Sequence, residues 1–166
     1  MNQARGAIEA ARAAGAEQYA PDEYKAAAAA LKRSEDAVAQ RDYRQALNYA
    51  LDSREQAQNA ARTAANQKAA VRSQVERDLR DLQVLLDEAR SKLKAAEGPR
   101  AGRRTLQAQR QAIDAGEASV QEARAAMDRL DYLGARDAIR GADDRLRAAI
   151  RQIDQSTQAP GARRRR

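Results

Sequence analysis

The sequence predicts an all-α protein. It reads as an elongated antiparallel helical bundle of about five helices, with one long central helix (about 43–97) shared by two three-helix halves. Three observations point there. No Gly or Pro interrupts the stretch from Tyr43 to Glu97, and at about 1.5 Å per residue such a helix makes a rod of roughly 80 Å. Apolar residues recur at spacings of three and four along most of the chain. Ala, Arg, Glu, Gln and Leu, which are abundant here, are also the best helix formers.

The elements follow in order. Residues 2–18 read as a first helix with Ala4, Ile8, Ala11 and Gly15 on one face, a face that is small and weakly apolar. Tyr19-Ala20-Pro21 breaks it. Pro21 suits the first position of a second helix, whose positive end Asp22 and Glu23 complement. That helix runs to about Gln40, with a seam of Tyr24, Ala28, Leu31, Glu35 and Val38. Asp42 caps the central helix, which opens at Tyr43. Its first half carries an alanine seam: Ala46, Ala50, Ala57, Ala60 and Ala64. Its second half is richer, from Val71 and Val75 through Leu79, Leu82, Leu86, Ala89 and Leu93 to Ala96, spaced much like a coiled-coil seam. Gly98-Pro99 stops it.

A fourth helix covers about 102–129. Leu106, Ile113, Val120 and Met127 fall seven apart, with Gly116 and Ala123 between them; a glycine there costs about 1 kcal/mol and implies a close neighbour. Asp131 caps a fifth helix, about 132–154, carrying Tyr132, Ala135, Ile139, Ala142, Leu146, Ile150 and Ile153. Residues 156–166 have no periodicity and read as a disordered Arg-rich tail.

An internal correspondence appears at an offset of 89 residues. QRDYRQALNYA (40–50) aligns with RLDYLGARDAI (129–139), so Asp42 meets Asp131, Tyr43 meets Tyr132 and Ala46 meets Ala135. Upstream, Tyr24, Leu31 and Val38 meet Ile113, Val120 and Met127. This argues for a duplicated helical hairpin. The halves divide at about 1–66 and 67–155. The first must pack closely through alanine and, burying little apolar area, should be the less stable.

Composition excludes whole chemistries. The hydrophobic fraction of 43% is mostly alanine: 42 Ala stand beside 12 Leu, 5 Ile, 5 Val and 2 Met. Without Cys there is no disulfide, thiol nucleophile or zinc cluster. Without His the commonest metal ligand and general base is missing. No catalytic residue, metal site or cofactor is therefore assigned, and no enzymatic role. Carboxylate pairs such as Glu35–Asp36 and Asp143–Asp144 lie among arginines, where ion pairing is the expected use.

The net charge is +7, of which the run Arg163, Arg164, Arg165 and Arg166 supplies four. These residues, with Arg100, Arg103, Arg104 and Arg110 around the start of the fourth helix, are the candidate polyanion-binding residues for nucleic acid or an anionic surface. Asp42, Tyr43, Asp131 and Tyr132 are candidate structural caps, the tyrosines plugging the ends of the hairpin cores. Tyr19, Tyr24 and Tyr49 read as packing residues. No apolar run is long enough to span a membrane, and MNQARGAIEA lacks the layout of a secretory signal.

The stretch 11–51 carries Ala-Gly-Ala (14–16), Tyr-Ala-Pro (19–21) and Asp42-Tyr43-x-x-Ala46. Over about residues 4–66 it resembles an uncharacterised bacterial family of Ala-rich helical envelope lipoproteins, known as a domain of unknown function and sometimes joined to a peptidoglycan-binding domain. The resemblance implies a periplasmic or cell-envelope location, with an export signal and a lipid-bearing Cys upstream; the alternative is the cytoplasm. No catalytic residues come with the family. Asp42-Tyr43-x-x-Ala46-Leu47-x-x-Ala50 is also similar to the second helix of a tetratricopeptide repeat, without that repeat's 34-residue period. The reading that follows is a non-enzymatic structural or interaction module with a protein partner, self-association included. Nucleic-acid or anionic-surface binding is the alternative.

Overall fold

The computed structural model describes residues 1–97 and 103–158, without the side chains of 103–105 and 158. The expected Gly98-Pro99 stop and the tail beyond 158 lie outside the described residues. Every described element is an α-helix: α1 (Asn2–Ala13), α2 (Ala16–Tyr19), α3 (Pro21–Ala39), α4 (Tyr43–Ala96), α5 (Arg103–Asp128), α6 (Tyr132–Ala138) and α7 (Ala142–Gln158). The long central helix is present as α4, 54 residues without a break. The chain forms two compact units, Met1–Ala70 and Val71–Arg166, and α4 contributes to each.

Two helices are divided where an unbroken one was expected. Gly15, at φ 86°, separates α1 from α2. Its N–H donates to the Arg12 carbonyl at 2.8 Å, closing the last turn of α1. A side chain there would be strained by the left-handed backbone and would meet the Tyr19 ring at 3.3 Å. Gly141, at φ 71°, divides the expected fifth helix into α6 and α7, and Asp143 and Asp144 occupy the first turn of α7. Helix α7 also outruns its expected end: the hydroxyls of Ser156 and Thr157 donate to the carbonyls of Ile153 and Asp154 at 2.7 and 2.8 Å, inside the last helical turns.

The first unit is held by small residues. Its core gathers Ile8, Ala11, Ala16, Tyr24, Ala27, Ala57, Ala60 and Ala64. The buried seam of α3 is Tyr24, Ala27, Ala30, Ser34 and Ala37, rotated by about one residue from the expected one: Ala28 is exposed and Leu31 and Glu35 are half-buried. The cause is distance. Ser34 Oγ donates to the Ala46 carbonyl at 2.8 Å, and Ser53 Oγ donates to the Ala27 carbonyl at 2.9 Å. Each hydroxyl thus reaches the backbone of the opposite helix, an approach that a leucine on the seam would block. Both serines are fully buried, so their hydroxyls need these acceptors. Across the surface, Arg5 pairs with Glu35 at 2.6 Å and ties α1 to α3.

The second unit uses larger residues. Leu82, Leu86, Ile113, Val120, Leu146 and Ile153 share one core cluster. Gly116 is the close approach that its position implied: a Cβ there would meet Leu146 Cδ2 at 3.1 Å and Leu86 Cδ2 at 3.2 Å. Gln109, 4% exposed, satisfies its amide on Gln152 at 2.6 Å. Lys92 joins α4 to α7 through Asp154 at 2.6 Å and reaches Glu88 at 3.3 Å; the Asp154 carboxylate, more than any other group, holds its pKa above the usual lysine value.

Two outcomes are expected. Ser34→Ala should cost about 1 kcal/mol in urea unfolding, the worth of one buried hydrogen bond, whereas Ser34→Leu should cost about 3 kcal/mol because the seam cannot widen; equal effects would contradict close approach as the determinant. In native-state hydrogen exchange, backbone amides of residues 46–64 should exchange faster than those of 82–93, since a buried alanine removes far less apolar surface from water than a leucine. Equal or slower exchange in the first unit would count against an alanine core being the weaker one.

Candidate interaction surface

The two predicted caps stand in the same local geometry. Arg41 and Leu130 adopt φ of 61° and 62°, the positive-φ non-glycine residues of the described chain. Immediately after them, Asp42 Oδ1 accepts from the Gln45 N–H at 3.0 Å and Asp131 Oδ1 accepts from the Gly134 N–H at 2.9 Å. The backbone bonds match as well: the Asp42 N–H donates to the Ala37 carbonyl, and the Asp131 N–H to the Ala126 carbonyl, each at 2.9 Å. Each of these pairs is separated by the same 89 residues. The left-handed residue ends one helix, and the carboxylate takes up a free N–H of the next.

The tyrosines that follow differ. Tyr132 is 7% exposed, whereas Tyr43 is 67% exposed. Tyr43 does not plug its hairpin, contrary to expectation: it stands out from α4, while α1 packs beside residues 47–54. Arg54 Nη1 donates to the Gln3 side chain at 2.8 Å, and a groove of about 410 Å³ is lined by Met1, Ala4, Leu47, Ala50, Leu51 and Arg54. In the second unit, by contrast, α4 reaches the corresponding turn: Val75 shares a cluster with Ala135 and Ile139.

The result is an exposed apolar stripe on α4. Tyr43, Leu47 (59% exposed) and Leu51 (47%) follow one another at four-residue steps, which keeps them on one side of the helix. Leu47 and Leu51 each lie about 100° round the helix from the buried alanine that precedes them, Ala46 and Ala50. Val38, at the end of α3, is exposed too. Leu47 and Leu51 lie off the alanine seam from which the sequence predicts the buried face of α4. Their four-residue spacing off that seam was the available signal.

The other candidates are placed as follows. Arg100 and Arg163 to Arg166 lie outside the described residues. Arg103 and Arg104 fall in the first turn of α5, which has no acidic residue. Arg110 is ion-paired with Glu97. Tyr24 is buried, and the Tyr49 ring carries the Arg33 guanidinium 5.2 Å from its centre. Arg12, Arg72 and Arg90 are held above the usual arginine value, first by Glu17, Glu76 and Glu117 respectively. A groove of about 620 Å³ in the second unit is lined by Asp78, Asp81, Arg136, Arg140, Asp143 and Arg147, in which Asp143 and Arg147 pair with each other. Among the described residues, no group of His, Cys, Asp and Glu is placed to hold a metal ion, and no helix is long and apolar enough to cross a membrane.

Residues 1–77 match a family described as a domain of unknown function (DUF4398). The match spans the first unit and the start of the second. No curated protein and no solved structure matches the chain. The first unit, with its caps, alanine core and bare stripe, is therefore the part that resembles an uncharacterised family.

The paired tyrosines give a direct check. Tyr132→Ala should lower stability by about 3 kcal/mol through loss of a buried ring. Tyr43→Ala should change it by less than about 0.5 kcal/mol. Thermal or urea unfolding of the two variants distinguishes a buried plug from a surface residue, and a large loss at Tyr43 would contradict its exposure.

Proposed function

We propose that the chain is a non-enzymatic helical module of the bacterial cell envelope that acts by presenting a helix face to another protein. The observation that carries this reading is the exposed Tyr43–Leu47–Leu51 stripe. The stripe sits within the segment that matches the uncharacterised family. An apolar surface on an otherwise charged helix favours a protein partner over a small ligand or a phosphate backbone. The absence of His and Cys from the sequence supports a role without catalysis. The envelope location rests on the resemblance in residues 4–66. The two hairpins are read as copies of one ancestral hairpin, a reading supported by the shared left-handed residue and aspartate cap 89 residues apart.

Fractionating cells that express the complete reading frame with a C-terminal tag tests the location: recovery with the envelope is expected, and recovery in the cytosol would overturn it. In the same cells, in vivo cross-linking should yield a protein adduct that Leu47→Glu abolishes. Binding to DNA or to anionic vesicles that falls steeply with salt, and that is lost on truncation at Gly161, would replace this reading with a polyanion-binding one.

A further inference from the structure

The stripe on α4 has charged flanks, and their arrangement selects an occupant. Taking about 100° per residue, Glu55 is the next four-residue step along the Tyr43–Leu47–Leu51 line, and Arg44, near the line's other end, projects within about 20° of it round the helix axis. Neither has an ion-pair partner among the described residues, although charges nearby are paired, such as Arg5 with Glu35 and Arg33 with Asp52. A second copy of this helix laid antiparallel, with a two-fold axis midway between Leu47 and Leu51, sets Leu47 against Leu51 of the second copy and Leu51 against its Leu47. The same operation keeps like flanks together. It therefore brings Arg44 beside Glu55 of the second copy, and Glu55 beside its Arg44. A two-fold contact must be complementary to itself, and the charges at the ends of this face are so.

We infer that the Tyr43–Leu47–Leu51 face of the first unit is an isologous docking surface for a second copy of this chain, centred between Leu47 and Leu51 and registered by reciprocal Arg44–Glu55 ion pairs. The inference rests on the reading of this stripe as a protein-binding face and names its partner. The second unit supports a helix as the occupant, because there the turn that corresponds to Tyr43 lies under a helix of the chain itself. With few large side chains on the face, the contact is small, and the dimer belongs to the weak, reversible class. The flanking charges act mainly on register and on choice of partner.

Sedimentation equilibrium of the full chain, from low to high micromolar, tests it. The wild type should show a reversible monomer–dimer equilibrium. Leu47→Glu should weaken dimerisation more than about tenfold, since it buries a charge at the centre of the contact. Arg44→Glu alone and Glu55→Arg alone should each weaken it by placing like charges together. The double variant Arg44→Glu/Glu55→Arg should recover most of the wild-type affinity. Val84→Glu, at another exposed apolar site, should leave dimerisation unchanged, and circular dichroism should show every variant as helical as the wild type. A wild type that stays monomeric throughout, a double variant no better than the singles, or a dimer indifferent to Leu47→Glu would overturn the proposal. Cell fractionation reads the envelope location separately, so failure of the dimer leaves that reading to its own test.

Discussion

Backbone proximity between α3 and α4 is the constraint on which the first unit depends. A serine hydroxyl from each helix ends on a carbonyl of the other, Ser34 on Ala46 and Ser53 on Ala27. This reciprocal pair works only if every residue between the two backbones is small. Ala27, Ala30, Ala37, Ala46, Ala50 and Ala57 meet that requirement. Such a core gains little from burial of each side chain. It gains instead from dense contact between backbones and from buried hydroxyls that are all satisfied.

The same constraint explains which parts of the structure were legible in the sequence. The long central helix and the buried faces of its second half could be read because Val75, Leu82, Leu86 and Leu93 are unambiguous in a 3.6-residue period. The alanine seam of α4 could be read from spacing alone. The seam of α3 could not, because AAAAA at 26–30 offers every phase equally and the larger Leu31 and Val38 drew it round the helix. The deciding residue was Ser34, whose buried hydroxyl has meaning only once its acceptor is in place. The breaks at Gly15 and Gly141 are hidden in the sequence for a related reason. Each turn preserves the apolar register on both sides of it, so Ala135, Ile139, Ala142 and Leu146 read as one continuous seam through a helix that stops and restarts.

The candidate surface was less legible than the fold. Asp42 and Asp131 were visible as caps because their chemistry is local. Tyr43 and Tyr132 looked equivalent because their neighbours in sequence are equivalent. The difference between them is tertiary: α4 packs at the turn of the second unit, where Val75 shares a cluster with Ala135 and Ile139, whereas Tyr43 stands exposed. No local pattern carries that information. The basic residues show the converse. Arg110 reads as part of a cationic cluster in sequence, yet its charge is compensated by Glu97.

The distribution of large apolar residues in the first unit is itself an argument about function. Its core is alanine and serine with Ile8 and Tyr24, while Tyr43, Leu47, Leu51 and Val38 face outward. A chain shaped by its own stability alone would place the leucines inward and the alanines outward, because each added buried methylene contributes about 0.8 kcal/mol. That inversion is tolerated here because the Ser–carbonyl contacts exclude large residues from the interior. The outward leucines, however, are not forced by that geometry: Arg, Gln or Glu at 47 and 51 would serve the helix equally well and keep it better solvated. Leucines at positions where the fold asks nothing of them are what the proposed second copy would cover, and the charges at the two ends of the stripe are what would set its register.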